Sequence, residues 1–221
     1  MPQATHNNFQ NSLLLIGPGK HFGKDIIRKF ASEGWKIGVI SQNQGKLDEL
    51  ESLLSAEGIS IVPRSADVKS LSDMKNAIQK ISEDISTFSC VIFNVKMSIA
   101  GSCLTINPEE FTDALTSNVT GAINTIQSVR PFLGSNASII FTGGGYKDQP
   151  DPEKLALSVS KAALHNLYLA AKQTLGNEGI SVKTVVIDGV VRENGPLYPQ
   201  DVANVFWNAH HDEKDDLFLL K

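Results

Sequence analysis

Three groups of residues in this chain have the types and spacing to do chemistry. The first is Gly17-Pro18-Gly19-Lys20-His21-Phe22-Gly23, which follows the apolar run Leu13 to Ile16. Glycines without a Cβ let backbone N–H groups at a helix N-terminus come close to a pyrophosphate, where the helix dipole favours negative charge. The spacing is GxGxxxG rather than GxGxxG, because Phe22 occupies the sixth place. Its position after a first strand and before a helix is the context that such a turn requires. It predicts dinucleotide binding at Gly17, Gly19, His21, Phe22 and Gly23, against the plainer reading of a structural turn. The second group is Ser41-Gln42-Asn43-Gln44, at the end of the second apolar run. An acid here would accept the ribose hydroxyls of NAD, and a base would favour the phosphate of NADP. Gln42 and its neutral neighbours can serve either, and Lys46 within reach of a phosphate tilts the reading toward NADP. The third is Tyr146, just after Thr142-Gly143-Gly144-Gly145. Ligands of open α/β sheets bind at the carboxyl ends of the strands, so its phenol could trade a proton with a substrate. An ordinary surface-loop tyrosine is the competing reading.

Positioning such groups requires a scaffold, and the chain alternates short β-branched runs with longer helical patterns. Strands are expected at Leu13 to Ile16, Lys36 to Ile40, Ile59 to Val62, Cys90 to Phe93, Ser138 to Phe141, Val182 to Ile187 and Phe218 to Leu220. Helical spacing appears at Phe22, Ile26, Ile27 and Phe30, at Leu47, Leu50, Leu53 and Leu54, and at Leu71, Met74, Ile78 and Ile81. A longer helix is expected from Phe111 to Leu133, ending at Gly134, then one from Glu153 to Leu175 and a short one over Asp201–His211. Strands alternating with helices of this length imply an α/β fold: one Rossmann-like, doubly wound domain over 1–221 with a mostly parallel, seven-stranded sheet. No repeat or Pro/Gly/Ser linker divides it, and the segment 190–211 is expected on the substrate side.

Composition removes other classes. With 41% hydrophobic residues, disorder and fibrous repeats are out. Lys+Arg is 20 against Asp+Glu 24, which speaks against a nucleic-acid-binding face. No stretch approaches the roughly 20 apolar residues of a membrane span, and the polar start MPQATHNNFQN does not read as a signal peptide, so a cytoplasmic protein is expected. Cys90 and Cys103 are too few for a disulfide scaffold. His210-His211-Asp212 at a helix end reads as a dipole-favoured cluster rather than as metal ligands, and no metal site is expected.

In sequence order these features resemble the short-chain dehydrogenase/reductase family, over nearly the whole chain. The family's glycine turn maps onto Gly17, Gly19 and Gly23, with His21 in place of a further glycine. Asp67 in Ala66-Asp67-Val68 resembles the adenine-contacting aspartate, and Asn94 is the residue kept where Phe93-Asn94-Val95-Lys96 replaces Asn-Asn-Ala-Gly. The resemblance makes Asn118 and Lys161 catalytic residues, gives Lys161 a second task on the nicotinamide ribose, and puts Gly189 in the Pro-Gly that borders the cofactor. It implies a small-molecule carbonyl or alcohol substrate, and a homodimer or homotetramer paired through the helices spanning Phe111–Leu133 and Glu153–Leu175.

The same resemblance shows what has changed. Leu157 stands at the family's proton-donating tyrosine, four residues before Lys161, and the substrate-orienting serine falls at Gly143 or Gly144. Tyr146 could supply the proton and Thr142 the hydroxyl, with Lys96 and Ser158 as further candidates. Between the sixth strand and the next helix only nine residues remain, Val191 to Pro199, so little can close over a substrate. Tyr198, Phe206 and Trp207 could line the site or pack the terminal helix. A looser likeness to a divergent subset rests on Thr142 to Gly145, Leu157, Lys161 and Trp207. Two main functions follow: an NAD(P)-dependent oxidoreductase with a non-standard proton relay, or a catalytically silent nucleotide-binding or regulatory protein. A structural subunit without cofactor is the third.

Overall fold

Leu13, Leu14, Leu15 and Ile16 are apolar in succession rather than in alternation, so a strand made from them must be covered on both faces. In the computed structural model, which describes residues 11–221, this strand is β1 (Ser12–Ile16) and every residue in it is buried. Leu14 and Ile16 enter one apolar layer, Leu13 and Leu15 the other. A fully buried side chain of this kind contributes about 1.5–3 kcal/mol. The opening residues 1–10, with most of the polar start discussed above, lie outside the described residues.

Six further strands join β1 in parallel: β2 (Lys36–Ser41), β3 (Val62–Ser65), β4 (Phe88–Phe93), β5 (Leu133–Gly144), β6 (Ser181–Ile187) and β7 (Leu217–Leu220). Their order is β3-β2-β1-β4-β5-β6-β7, so the seven-stranded Rossmann-like sheet anticipated from the sequence is present. One face is covered by α1 (Gly23–Ser32), α2 (Gln44–Ala56) and α7 (Pro199–His211), through Ile26, Phe30, Leu47, Leu54 and Phe206. The other carries α3 (Leu71–Ile85), α5 (Gly121–Val129) and α6 (Leu155–Gly176), through Met74, Ile78, Val129, Leu164 and Tyr168. The chain moves outward from β1 through β2 to β3, then returns to place β4 on the other side of β1. At that reversal the following loops part and leave a crevice at the carboxyl ends of the strands. Among the described residues no helix is long and apolar enough to cross a membrane.

Two elements depart from the sequence expectation. The third strand is not Ile59 to Val62 but Val62–Ser65. Ile59 closes the turn after α2 by donating its N–H to Leu54 O, and Ile61 is buried against the α1–α2 layer, so these residues are apolar for packing before pairing begins. The strand itself is an edge and accommodates Pro63 opposite Val39. The long helix expected from Phe111 to Leu133 is broken. α4 (Pro108–Leu115) starts earlier, where the Asn107 side chain caps the N–H groups of Glu109 and Glu110. A π-helical turn spans Thr116–Thr120 before α5, and Pro131 ends the helix in a tight 3-10 turn, Arg130–Phe132. Leu133 already belongs to β5, paired with Phe88. The π turn carries Asn118, a placement common at functional sites.

Candidate functional site

The glycine turn adopts a backbone that side chains would disrupt. Gly17 and Gly19 have φ of +76° and +62°, in the left-handed region that favours glycine. A Cβ on Gly23 would lie 1.7 Å from Pro18 O, so only hydrogen allows the turn to pack against the first residue of α1. Phe22, just before α1, gives that helix no side-chain cap, and its carbonyl accepts from the N–H groups of Asp25 and Ile26.

A chain of hydrogen bonds ties this turn to the sheet. Asn94, just past β4, donates from Nδ2 to Gly17 O at 2.8 Å and accepts from Thr142 Oγ1 at 2.9 Å. Thr142 O in turn accepts from Lys161 Nζ at 2.6 Å. Three consecutive strand ends (β1, β4 and β5) and α6 are thereby locked together. Lys161 is buried, and burial, helped by the charge of Lys96, lowers its pKa from 10.5 to about 8. These residues border a cavity of about 330 Å³. Gly19, His21, Phe22, Asn94, Thr142, Tyr146, Lys161 and Gly189 all line it, so the structure gathers residues spread over most of the sequence.

Other expected site residues lie elsewhere. Asn118 does not line the cavity. Its Oδ1 accepts from Met97 N at 2.7 Å, and its Nδ2 donates to Met97 O at 2.8 Å and to Ser160 Oγ at 3.1 Å. With both ends of its amide engaged, Asn118 is a positioning residue: it holds Met97, between the cavity-lining Lys96 and Ser98, to the helix that carries Lys161. Thr142 has given its one hydroxyl proton to Asn94, which leaves none for a substrate oxygen in this arrangement. Ser158 bonds to the Asp151 backbone and is buried off the cavity. Gln42 and Asp67 form a separate pair, Nε2 to Oδ2 at 3.1 Å, at the ends of β2 and β3. Val68 is held against α5, where Asn124 Nδ2 donates to Val68 O and Gly121 leaves room for the valine side chain. Of the three aromatic residues near the short substrate-side segment, Phe206 is buried and stacks on Phe22, Trp207 packs on Phe30 and Trp35, and Tyr198 is exposed. None lines the cavity. Val190 and Val191 do, where Arg192 N bonds Leu197 O and folds the segment back on itself.

The sequence pattern of the short chain dehydrogenases matches residues 11–194. This chain belongs to that family. Its relatives are oxidoreductases: sulfoacetaldehyde reductase 2 of Chromohalobacter salexigens is 22% identical, over 89% of this chain and 87% of its own. Solved structures share the fold. A short chain dehydrogenase from Burkholderia cenocepacia in complex with NADP superposes with a TM-score of 0.85 at 19% identity, covering 97% of this chain and 98% of its own. A family member from Burkholderia phymatum in complex with NAD gives 0.87 at 17% identity, covering 96% and 89%.

Within this short chain dehydrogenase, Leu157 sits one helical turn before Lys161, almost fully buried and on the cavity wall. Gly144 meets the Lys161 stem, with room for a Cβ at 3.5 Å. One group that sequence reasoning did not single out is Lys154. Its Nζ donates to Tyr146 Oη at 3.0 Å and pairs with Asp151 at 3.1 Å. Both contacts raise the Lys154 pKa, that with Tyr146 the more. Eight residues separate Lys154 from Tyr146 in an irregular loop, where no periodicity marks a contact.

Proposed function

We propose that the protein is an NAD(P)-dependent oxidoreductase acting on a small carbonyl or alcohol, with a proton relay built on Tyr146 rather than on the position of Leu157. The observation that carries this reading is the convergence of the glycine turn, Lys161 and the Tyr146–Lys154 pair on one cavity. The residues fit a dinucleotide: the positive-φ glycines, a start of α1 without a side-chain cap and the close packing at Gly23 make a backbone turn on the cavity wall, where helix N–H groups favour a diphosphate. Gly17, Gly19, His21, Phe22 and Gly23 would hold the diphosphate, Gln42, Asp67 and Val68 the adenosine end, and Asn94, Lys161 and Gly189 the nicotinamide end. Lys46, in the first turn of α2, inclines the choice to NADP.

A bound nicotinamide would supply or accept the hydride. The chain's own residues do the rest. Lys161 uses one N–H on Thr142 O and keeps two for ribose hydroxyls. Tyr146 Oη accepts from Lys154, so the phenol's own proton is available to a carbonyl oxygen, and the adjacent ammonium stabilises the charge left as the proton departs. Leu157, Val190 and Val191 give the substrate an apolar wall. The whole of 1–221 acts as one nucleotide-binding unit, with 190–211 on its substrate side. The protein works in the cytoplasm, and copies pair through α4–α5 and α6, where Ile123, Val159 and Leu169 are exposed; light scattering at the mass of a monomer would overturn the pairing.

The replacement of a proton donor by buried Leu157 also supports a second reading, a silent nucleotide-binding or regulatory protein. Nicotinamide fluorescence titration with NADPH and NADH, followed by a hydride-transfer screen over aldehydes, ketones and quinones, separates the two. Oxidoreductase function requires both binding and turnover; binding without turnover favours the silent protein, and no binding up to millimolar cofactor defeats both.

A further inference from the structure

The charge of the cavity is one-sided. Lys20, Lys96, Lys154 and Lys161 line it, and no aspartate or glutamate does. Two of these ammonium groups are engaged: Lys154 is paired with Asp151 and bonded to Tyr146, and Lys161 is bonded to Thr142 O. Lys20, in the glycine turn, and Lys96, past β4, are not: among the described residues neither makes an ion pair or a side-chain hydrogen bond. Lys96 lies between Val95, which packs on Gly17, and Met97, which Asn118 holds beside Ser160 of α6, so it lines the cavity between the glycine turn and the helix of Lys161, and its charge bears on Lys161. Two cations facing one partly enclosed space repel each other, and an anion between them relieves that repulsion. Asn118 fixes the Lys96 backbone by gripping both the N–H and the carbonyl of Met97.

We propose that Lys96 makes the substrate half of the cavity an anion site, and that the carbonyl or alcohol substrate carries a carboxylate, sulfonate or phosphate. This rests on the hydride-transfer reading above, in which the apolar wall and Tyr146 receive the uncharged, reacting end. Lys96 recognises the other end and so sets specificity.

The test uses the full chain and three small anions, succinate, 3-hydroxypropanesulfonate and glycerol 3-phosphate, with 1,4-butanediol as the uncharged control. Each is titrated calorimetrically with and without saturating NADPH. At least one anion should bind about tenfold more tightly than the diol, as a charge-assisted contact implies. Lys96→Gln should remove that advantage, Lys96→Arg should retain it, and the NADPH dissociation constant should stay within about twofold in both. The proposal is overturned if no anion outbinds the diol, if Lys96→Gln weakens diol and anion alike, or if that variant weakens NADPH as much as the anion. In the last case Lys96 serves the cofactor diphosphate. Lys96-dependent anion binding in a chain that never transfers hydride would sustain the anion site and defeat the oxidoreductase reading. Turnover of neutral aldehydes that is indifferent to Lys96, with no anion binding, would do the reverse.

Discussion

Replacing Asn94 with leucine, which has nearly the same shape, would remove the central link between the glycine turn and β5. Two hydrogen bonds disappear, to Gly17 O at 2.8 Å and from Thr142 Oγ1 at 2.9 Å. Asn94 is half-buried, so water can satisfy part of what is left. At about 1 kcal/mol net for each neutral bond, the expected loss is about 2 kcal/mol. For a domain of this size that lowers Tm by about 4–8 °C. The effect on cofactor binding should be larger than the stability loss alone would suggest, because Gly17 is held at positive φ by this contact and by its N–H bond to Ile40 O at 2.8 Å. NADPH affinity should fall by about tenfold or more, equivalent to about 1.4 kcal/mol. Calorimetric melting and nicotinamide fluorescence read the two quantities separately. Thr142→Val supplies the cross-check. It removes one of the same bonds, so its effect and that of Asn94→Leu should combine to less than their sum. An unchanged Tm, full additivity, or a lower Tm with unaltered NADPH affinity would refute the claim that this chain of bonds holds the turn.

Other outcomes follow from the same geometry. Tyr146→Phe should lower kcat by about 10²–10⁴ with little change in Tm or NADPH affinity, and a steady-state assay showing full turnover would remove Tyr146 from the relay. Gly23→Ala pushes a Cβ to 1.7 Å from Pro18 O, so fluorescence titration should show NADPH affinity reduced by more than about tenfold. Lys161 sheds its proton near 10.5 when unfolded and near about 8 in the fold. Between those values the unfolded chain holds a proton that the native chain has lost, so stability should rise with pH across that window and not below it. The swing is on the order of 3 kcal/mol. Denaturant titration of wild type against Lys161→Met from pH 7 to 10.5 should show wild type gaining ground above pH 8; a constant difference contradicts the assignment.

The sequence by itself determined the doubly wound sheet, because buried parallel strands and amphipathic helices each leave a period in the chain. It located the glycine turn as well: a left-handed backbone and a turn packed hard against a helix start need glycine at set places, and Gly17, Gly19 and Gly23 occupy them. Local pattern was less reliable where packing and pairing compete. Ile59 and Ile61 are as apolar as a strand should be, yet they serve a turn and a helix layer, and β3 begins only at Val62. The helix over Phe111 to Leu133 reads as continuous from its apolar spacing, yet a π turn interrupts it, Ile123 of that stripe is exposed, and Asn118 is buried against Met97.

What tertiary structure alone decided is which groups share the cavity and which are already engaged. Asn118 and Thr142 have the right chemistry for a catalytic role, but their polar atoms are committed to Met97, Ser160 and Asn94. Lys154 carries no mark in the sequence, and only the fold of the loop after β5 sets it against Tyr146. Lys96 is one lysine among many until the cavity shows that no carboxylate faces it. Periodicity reports burial, since burial repeats along an element. The partner of a polar atom depends on chain segments far apart in sequence, and that information exists only once the chain has folded.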